Sequence, residues 1–383
     1  MSERLVLIFL IDALGYTQAG SHAFLPEFDS ARHPVRSVLG YSSAALPTLM
    51  SGLLPEEHRH LSMYRRAGRD GVFSRLDWWL RPLSGMTGRQ WTLRRWAAAS
   101  LRRAGVTGYF SLYEVPLSLL SRFDLSQRHD VFSPGGFGAH LGLADLVAAA
   151  GGRLWNWTVP EARAFAELGE EIDRGERPVL FLYSAELDAT MHAHGPEGEA
   201  TAACLASLER RMRDLLVAAR RRYREVRAFA FGDHGMAEVS ATHDLWSRLD
   251  RLGLSVPRDF LFFLDSTMAR FWFGTDAARR AVLALLAELP YGRLLDEREL
   301  RAERAWFPEA DYGEAIFLLR EGEILVPSFM SGQPVRGMHG YHPNDASMYT
   351  TLLSNCRDLD PPTDLAGIHA LLRREIGSIG QAG

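Results

Sequence analysis

The 383-residue chain is 47% hydrophobic and 23% charged with a formal net charge of -4, which suits a globular protein with a large core and argues against a polyanionic partner. All 43 basic residues are arginine, and two cysteines, Cys204 and Cys356, are too few for a disulfide framework, so a reducing compartment is expected. No apolar run reaches the roughly 20 residues of a spanning helix, and Leu5 to Ile11 is short for an export signal; the expectation is a cytoplasmic protein with no membrane span.

Leu5 to Ile11 is aliphatic on both faces, the pattern of a buried parallel strand, and it ends at Asp12 with Gly15 close behind. Asp12 at that strand end is a candidate metal ligand or the cap of the following turn. In Tyr41 to Gly52 two serines, Ser42 and Ser43, stand before a helix-like run closed by glycine. A serine there is an ordinary N-cap. The same position faces free N–H groups and the positive end of the helix dipole, which favour an alkoxide and a bound phosphate.

From about residue 53 to 137 the pattern changes. Trp78, Trp79, Trp91 and Trp96 interleave with arginines, and eleven arginines between Arg59 and Arg103 face only Asp70 and Asp77. Residues 58–135 are expected to be an inserted cap, its tryptophans anchoring an amphipathic, solvated helical face to the core; nucleic-acid binding is not expected. The catalytic core is then residues 1–57 and 136–383.

Alternation resumes with a helix over Leu141 to Ala150, a strand near Leu154 to Trp157, a helix from Pro160 and a buried strand from Pro178 to Tyr183. Beyond that strand, Asp188 and His192 are four apart, which puts both on one side of a helical turn, with His194 as an alternate. A long amphipathic helix, Glu199 to Arg224, leads to the strand Val226 to Phe231. That strand breaks at Gly232 and delivers Asp233-His234-Gly235-Met236. Further strand and helix signals follow at Met268 to Phe273, Ala277 to Leu289 and Ala315 to Arg320. Late in the chain His339 lies between glycines, with His342 as an alternate, before a strand over Met348 to Leu353 and a closing helix.

These strand ends supply Asp12, Asp188, His192, Asp233, His234 and His339, six oxygen or nitrogen donors of the kind zinc accepts, around the hydroxyl of Ser42. Their order resembles the alkaline phosphatase superfamily, in its nucleotide pyrophosphatase/phosphodiesterase branch. That branch has an Asp after the first strand, an Asp-x-x-x-His, a DHGM, a late HGY, and a nucleophile ten residues before the glycine of a TGLYPESH-like step. Here the step reads Ser51-Gly52-Leu53-Leu54-Pro55-Glu56-Glu57-His58, and the spacing to Gly52 selects Ser42 over Ser43.

The resemblance implies an α/β sandwich with a mainly parallel central sheet flanked by helices, carrying an inserted cap. It implies two zinc ions, one held by Asp12, Asp233 and His234 and the other by Asp188, His192 and His339. It further implies hydrolysis of a small phosphate ester, as a phosphodiesterase or nucleotide pyrophosphatase, through a phosphoserine on Ser42. A phosphomonoesterase or phosphomutase would use the same centre, and a non-catalytic anion-binding module is the alternative of another class. Ser42-Ser43-Ala44-Ala45-Leu46 lacks the Pro and Arg of a sulfatase, and Ala44-Ala45 replaces the Pro-Asn of many phosphodiesterases, so the family's nucleotide contacts do not transfer.

Overall fold

The computed structural model describes residues 2–28, 32–68, 70–73 and 90–379. Its centre is a six-stranded sheet in the order Pro34–Val35, Thr350–Ser354, Tyr223–Phe231, Ser2–Ile11, Val179–Ser184, Arg153–Trp155. The last four run parallel to one another, and the first two add an antiparallel edge. The expected mainly parallel sheet between helices is therefore what forms.

The first strand shows why its sequence is apolar throughout. Leu5, Leu7, Phe9 and Ile11 pack with Phe165, Leu168 and Ile172 of helix Glu161–Arg174 and with Leu205, Leu208 and Met212 of helix Glu199–Arg222. Val6, Ile8 and Leu10 point the other way, against helices Ser42–Ser51, Leu143–Ala149 and Leu365–Gly377. Alternate residues of a strand face opposite sides, and here both sides are covered.

Register then fixes the site. Leu10 pairs with Phe231 on one side and Ile11 with Ser184 on the other, so three strands finish at one level. The chain beyond each finish carries Asp12, Asp233-His234 and Asp188, at the carboxyl edge where open α/β sheets hold ligands.

A second, four-stranded antiparallel sheet has the order Phe260–Leu264, Met268–Phe273, Ala315–Leu319, Gly292–Leu294. Tyr64, Phe73, Leu101 and Phe123 pack with it in one hydrophobic cluster. Within this unit the fully buried Arg270 donates to Asp265 Oδ2 at 2.7 Å and to the Tyr64 carbonyl at 2.7 Å, which ties the early segment to the sheet.

Three local expectations are corrected. Helix Gln90–Arg103 buries Ala97 and Leu101, whereas Trp96 is 62% exposed and anchors nothing. Trp78 and Trp79, and the side chain of Trp91, lie outside the described residues. Second, the long helix ends at Arg222, because Tyr223 already pairs with Ser2 in the central sheet. Third, Ser42 does not cap its helix: the N-cap is Tyr41, no side chain caps it, and Ser42 is the first helical residue. Among the described residues no helix is long and apolar enough to cross a membrane.

Candidate active site

Ser42 opens the first turn of its helix, and its Oγ lies 2.9 Å from His234 Nε2. The same nitrogen is 3.5 Å from Asp12 Oδ1 and 3.3 Å from Asp233 Oδ2. On the other side Asp188 Oδ1 is 3.3 Å from His192 Nε2 and 3.7 Å from His339 Nε2. The His234 and His339 rings stack with centroids 3.8 Å apart, joining the two halves. All seven sequence-derived candidates therefore meet in one place. Donor atoms mutually within 4.8 Å fall into two groups, Asp12–Asp233–His234 and Asp188–His234–His339. His192 enters the second through Asp188. The alternates go elsewhere: His194 is exposed, and His342 Nε2 faces Glu299 at 3.2 Å.

Local chemistry explains how several of the candidate ligands are aimed. Asp233 Oδ1 accepts from the Ala13 and His234 amides, both at 3.1 Å, which leaves Oδ2 facing inward. The His234 Nδ1 lies 3.0 Å from the Gly235 carbonyl and the His192 Nδ1 lies 2.8 Å from the Gly337 carbonyl. A carbonyl can only accept, so each ring carries its proton on Nδ1 and offers the Nε2 lone pair to the site. Ser42 accordingly donates to His234 Nε2. The glycines around the Asp-His pair are dictated by crowding. A Cβ on Gly232 would stand 2.6 Å from the Leu14 carbonyl oxygen, and one on Gly235 2.1 Å from that of Ser347.

Several positioning groups carried no signal in the sequence. The Tyr183 hydroxyl donates to Asp12 Oδ2. Thr267 donates its amide to the Tyr41 hydroxyl at 3.0 Å and its own hydroxyl to the Gly340 carbonyl at 2.8 Å. Tyr41 must then donate to Thr267 Oγ1, 2.7 Å away, and this chain braces the His339 loop. Gly340 has φ of +86°, and a Cβ there would meet the Tyr41 ring at 2.5 Å. A tyrosine ending a buried strand, as Tyr183 nearly does, is the only hint the sequence offered.

The electrostatics are those of a site built for cations. Burial, then the charges of Asp233 and Asp188, push the Asp12 carboxyl well above its ordinary value. Burial, with Asp188 adding, pushes Asp233 up to about 7. Burial would raise Asp188 too, but the His192 imidazole 3.3 Å away and the other nearby imidazoles hold it below the carboxylate range. Burial and the adjoining His234 push His339 well below an ordinary histidine. Asp12 Oδ1, Asp233 Oδ2 and Asp188 Oδ1 are buried with no hydrogen-bond donor, so three carboxylate oxygens converge with no group to satisfy them. Orphaned acceptors beside imidazole lone pairs fit divalent metal of the zinc type.

A cavity of about 450 Å³ opens onto Ser42, Asp12, Asp188, His192 and His339. Residues 58–135 contribute Met63, Tyr109, Tyr113 and Phe132 to its walls, and the later chain contributes Trp157, Val326 and Met330. The Tyr109 and Trp157 rings meet edge to face at 5.5 Å.

Residues 29–255 match the sequence family described as type I phosphodiesterase / nucleotide pyrophosphatase. No curated protein matches the chain in sequence. Among solved structures it is similar to murine ectonucleotide pyrophosphatase/phosphodiesterase 5, with TM-score 0.66 and 14% identity over 98% of this chain and 95% of that one. An inactive variant of that murine protein in complex with AMP gives TM-score 0.65 at 14% identity, with the same coverage. The human counterpart gives TM-score 0.65 at 12% identity, again over 98% and 95%. At these identities the likeness shows the shared fold.

Proposed function

Since the chain belongs to the type I phosphodiesterase / nucleotide pyrophosphatase family, we propose that it hydrolyses a phosphodiester in two displacements through a phosphoserine on Ser42. The observation that carries this reading is the Ser42 hydroxyl standing 2.9 Å from His234 Nε2, beside three buried carboxylate oxygens that lack any donor. Asp12, Asp233 and His234 would hold one zinc and Asp188, His192 and His339 the other. When bound, such a pair of dications lowers the pKa of the attacking hydroxyl and stabilises the departing oxygen.

The chain's own groups do the rest. Ser42 gives up its proton to solvent and its Oγ attacks phosphorus; the phosphorus–oxygen bond to the first alcohol breaks, and that oxygen leaves with the electron pair and takes up a proton from water. The start of the Ser42 helix directs unpaired amides and the positive dipole end at the charge on the phosphoryl oxygens. Water then attacks the phosphoserine from the vacated side, the Ser42–phosphorus bond breaks, and the hydroxyl is restored. Two inversions leave retention at phosphorus. Tyr183 and the Asp233 amide contacts hold the carboxylates still while this occurs. We further propose that residues 58–135 act as a cap, a role supported by Met63, Tyr109, Tyr113 and Phe132 in the cavity wall.

The test is Ser42→Ala in zinc-loaded protein. Turnover of an aryl phosphodiester is expected to drop at least about a thousandfold while metal content stays near two ions per chain, because serine nucleophiles are worth that much or more. Acid quenching of the unsubstituted protein should trap a phosphoryl group on the Ser42 peptide, visible by mass spectrometry. Undiminished activity in the variant would refute the covalent route.

A further inference from the structure

On the phosphodiester reading above, the cavity beside Ser42 also bears on what the phosphorus carries. The chain has 43 arginines, yet none is among the described residues lining this cavity. Its ionisable walls are the metal-site side chains Asp12, Asp188, His192 and His339, the phenols Tyr41, Tyr109, Tyr113 and Tyr183, and one further carboxylate, Asp130. Asp130 is buried and accepts from the Phe132 amide, Ser133 and Asn156. A second phosphate placed here would meet no guanidinium among the described residues and, beyond the metal-site side chains, the Asp130 carboxylate, at the cost of desolvation.

Four of the other polar walls are engaged inward, whereas the Ser43 hydroxyl is buried without a hydrogen-bond partner. Ser62 Oγ donates to Asp265 at 2.7 Å, and Gln127 donates to the Ser43 carbonyl at 3.3 Å. Ser328 Oγ accepts from the Met330 and Ser331 amides at 3.2 and 3.1 Å, and Ser331 Oγ donates to the Gln333 carbonyl at 2.9 Å. These groups have made their hydrogen bonds within the protein and turn little toward a base edge or a sugar hydroxyl. Beyond the metal-site side chains, most of what faces the space is hydrocarbon: Leu46, Met63, Phe132, Val326, Met330 and the faces of Tyr109 and Trp157.

We infer that the preferred substrate is a phosphodiester with one uncharged, hydrocarbon-rich alcohol, alkyl or aryl, seated against Leu46, Met63, Phe132, Val326 and Met330, and not a nucleoside ester bearing further phosphates. The driving force is removal of apolar surface from water, worth about fourfold in affinity per fully buried methylene. Thioether side chains such as Met63 and Met330 adapt to an irregular chain better than branched ones.

The experiment compares kcat/KM of the zinc-loaded full chain on p-nitrophenyl methyl, butyl, hexyl and phenyl phosphodiesters and on the p-nitrophenyl ester of thymidine 5′-phosphate. At least a tenfold rise from methyl to hexyl is expected, with the thymidine ester below the better of hexyl and phenyl; that pair tells alkyl from aryl. Met330→Glu should pull the hexyl-to-methyl ratio down towards one. Clear turnover with a flat length profile, or preference for the thymidine ester over both hexyl and phenyl, overturns the inference while leaving the phosphodiesterase reading intact. Failure to hydrolyse any of the five esters would remove that reading, and this inference with it.

Discussion

Asp233 has one oxygen held by two amides and the other bare, in a site where burial lifts its carboxyl to about 7. A proton and a dication compete for that bare oxygen, so zinc affinity should fall as the pH drops below about 7, measurable by calorimetric titration at several pH values. The linked effect on the metal-free fold has the opposite trend. A carboxyl raised from 3.8 to about 7 on folding removes stability progressively across that interval and no further above it. The rise in melting temperature on adding zinc should therefore be larger at pH 8 than at pH 5.5, and Asp233→Asn should abolish most of it. Tyr183→Phe takes away the phenol hydrogen bond to the Asp12 carboxylate, and should weaken zinc binding about 10- to 100-fold, the range for such supporting partners. The candidate ligands were legible because Asp and His recur at several strand ends in one order, which as a set suits a metal centre although each alone reads as a cap or a turn. Tyr183 and Tyr41 were not, because an aromatic in or beside a strand reads as packing until its hydroxyl is located.

Among the elements, those buried on both faces were the easiest to recognise. Leu5 to Ile11 and Pro178 to Tyr183 are continuous apolar runs because helices cover each side of the sheet, and the structure extends or trims them by a few residues. Phe260–Leu264 was passed over, since five apolar residues with no polar alternation specify a buried segment without saying which kind. The Arg/Trp-rich stretch defeated periodicity for another reason: helix Gln90–Arg103 buries Ala97 and Leu101 and leaves Trp96 in solvent, so a large apolar side chain marks the wrong face. Loop junctions depend on close approach. Gly235→Ala would drive a Cβ to 2.1 Å from the Ser347 carbonyl oxygen, and should cost roughly 1–3 kcal/mol as overpacking, read from the urea midpoint.

For the molecule as a whole, the contact that joins the early segment to the antiparallel sheet is Arg270, with no exposed surface, between Asp265 and the Tyr64 carbonyl. Asp265→Ala would leave that guanidinium buried without its counter-charge. The expected loss is about 3–5 kcal/mol of stability, or unfolding outright, seen in a denaturant or thermal melt. One more consequence lies in how far apart along the chain the metal-site groups are. Asp12 directly follows the first strand and His339 lies in the stretch just before the last, and the edge strand that pairs with Phe231 comes later still, at Thr350–Ser354. While the polypeptide is being made, the early carboxylates emerge from the ribosome long before the final imidazole. A nascent chain that halts near residue 330 thus carries five of the six candidate ligands and lacks His339, so the second cation position is completed only once nearly the whole fold has been synthesised.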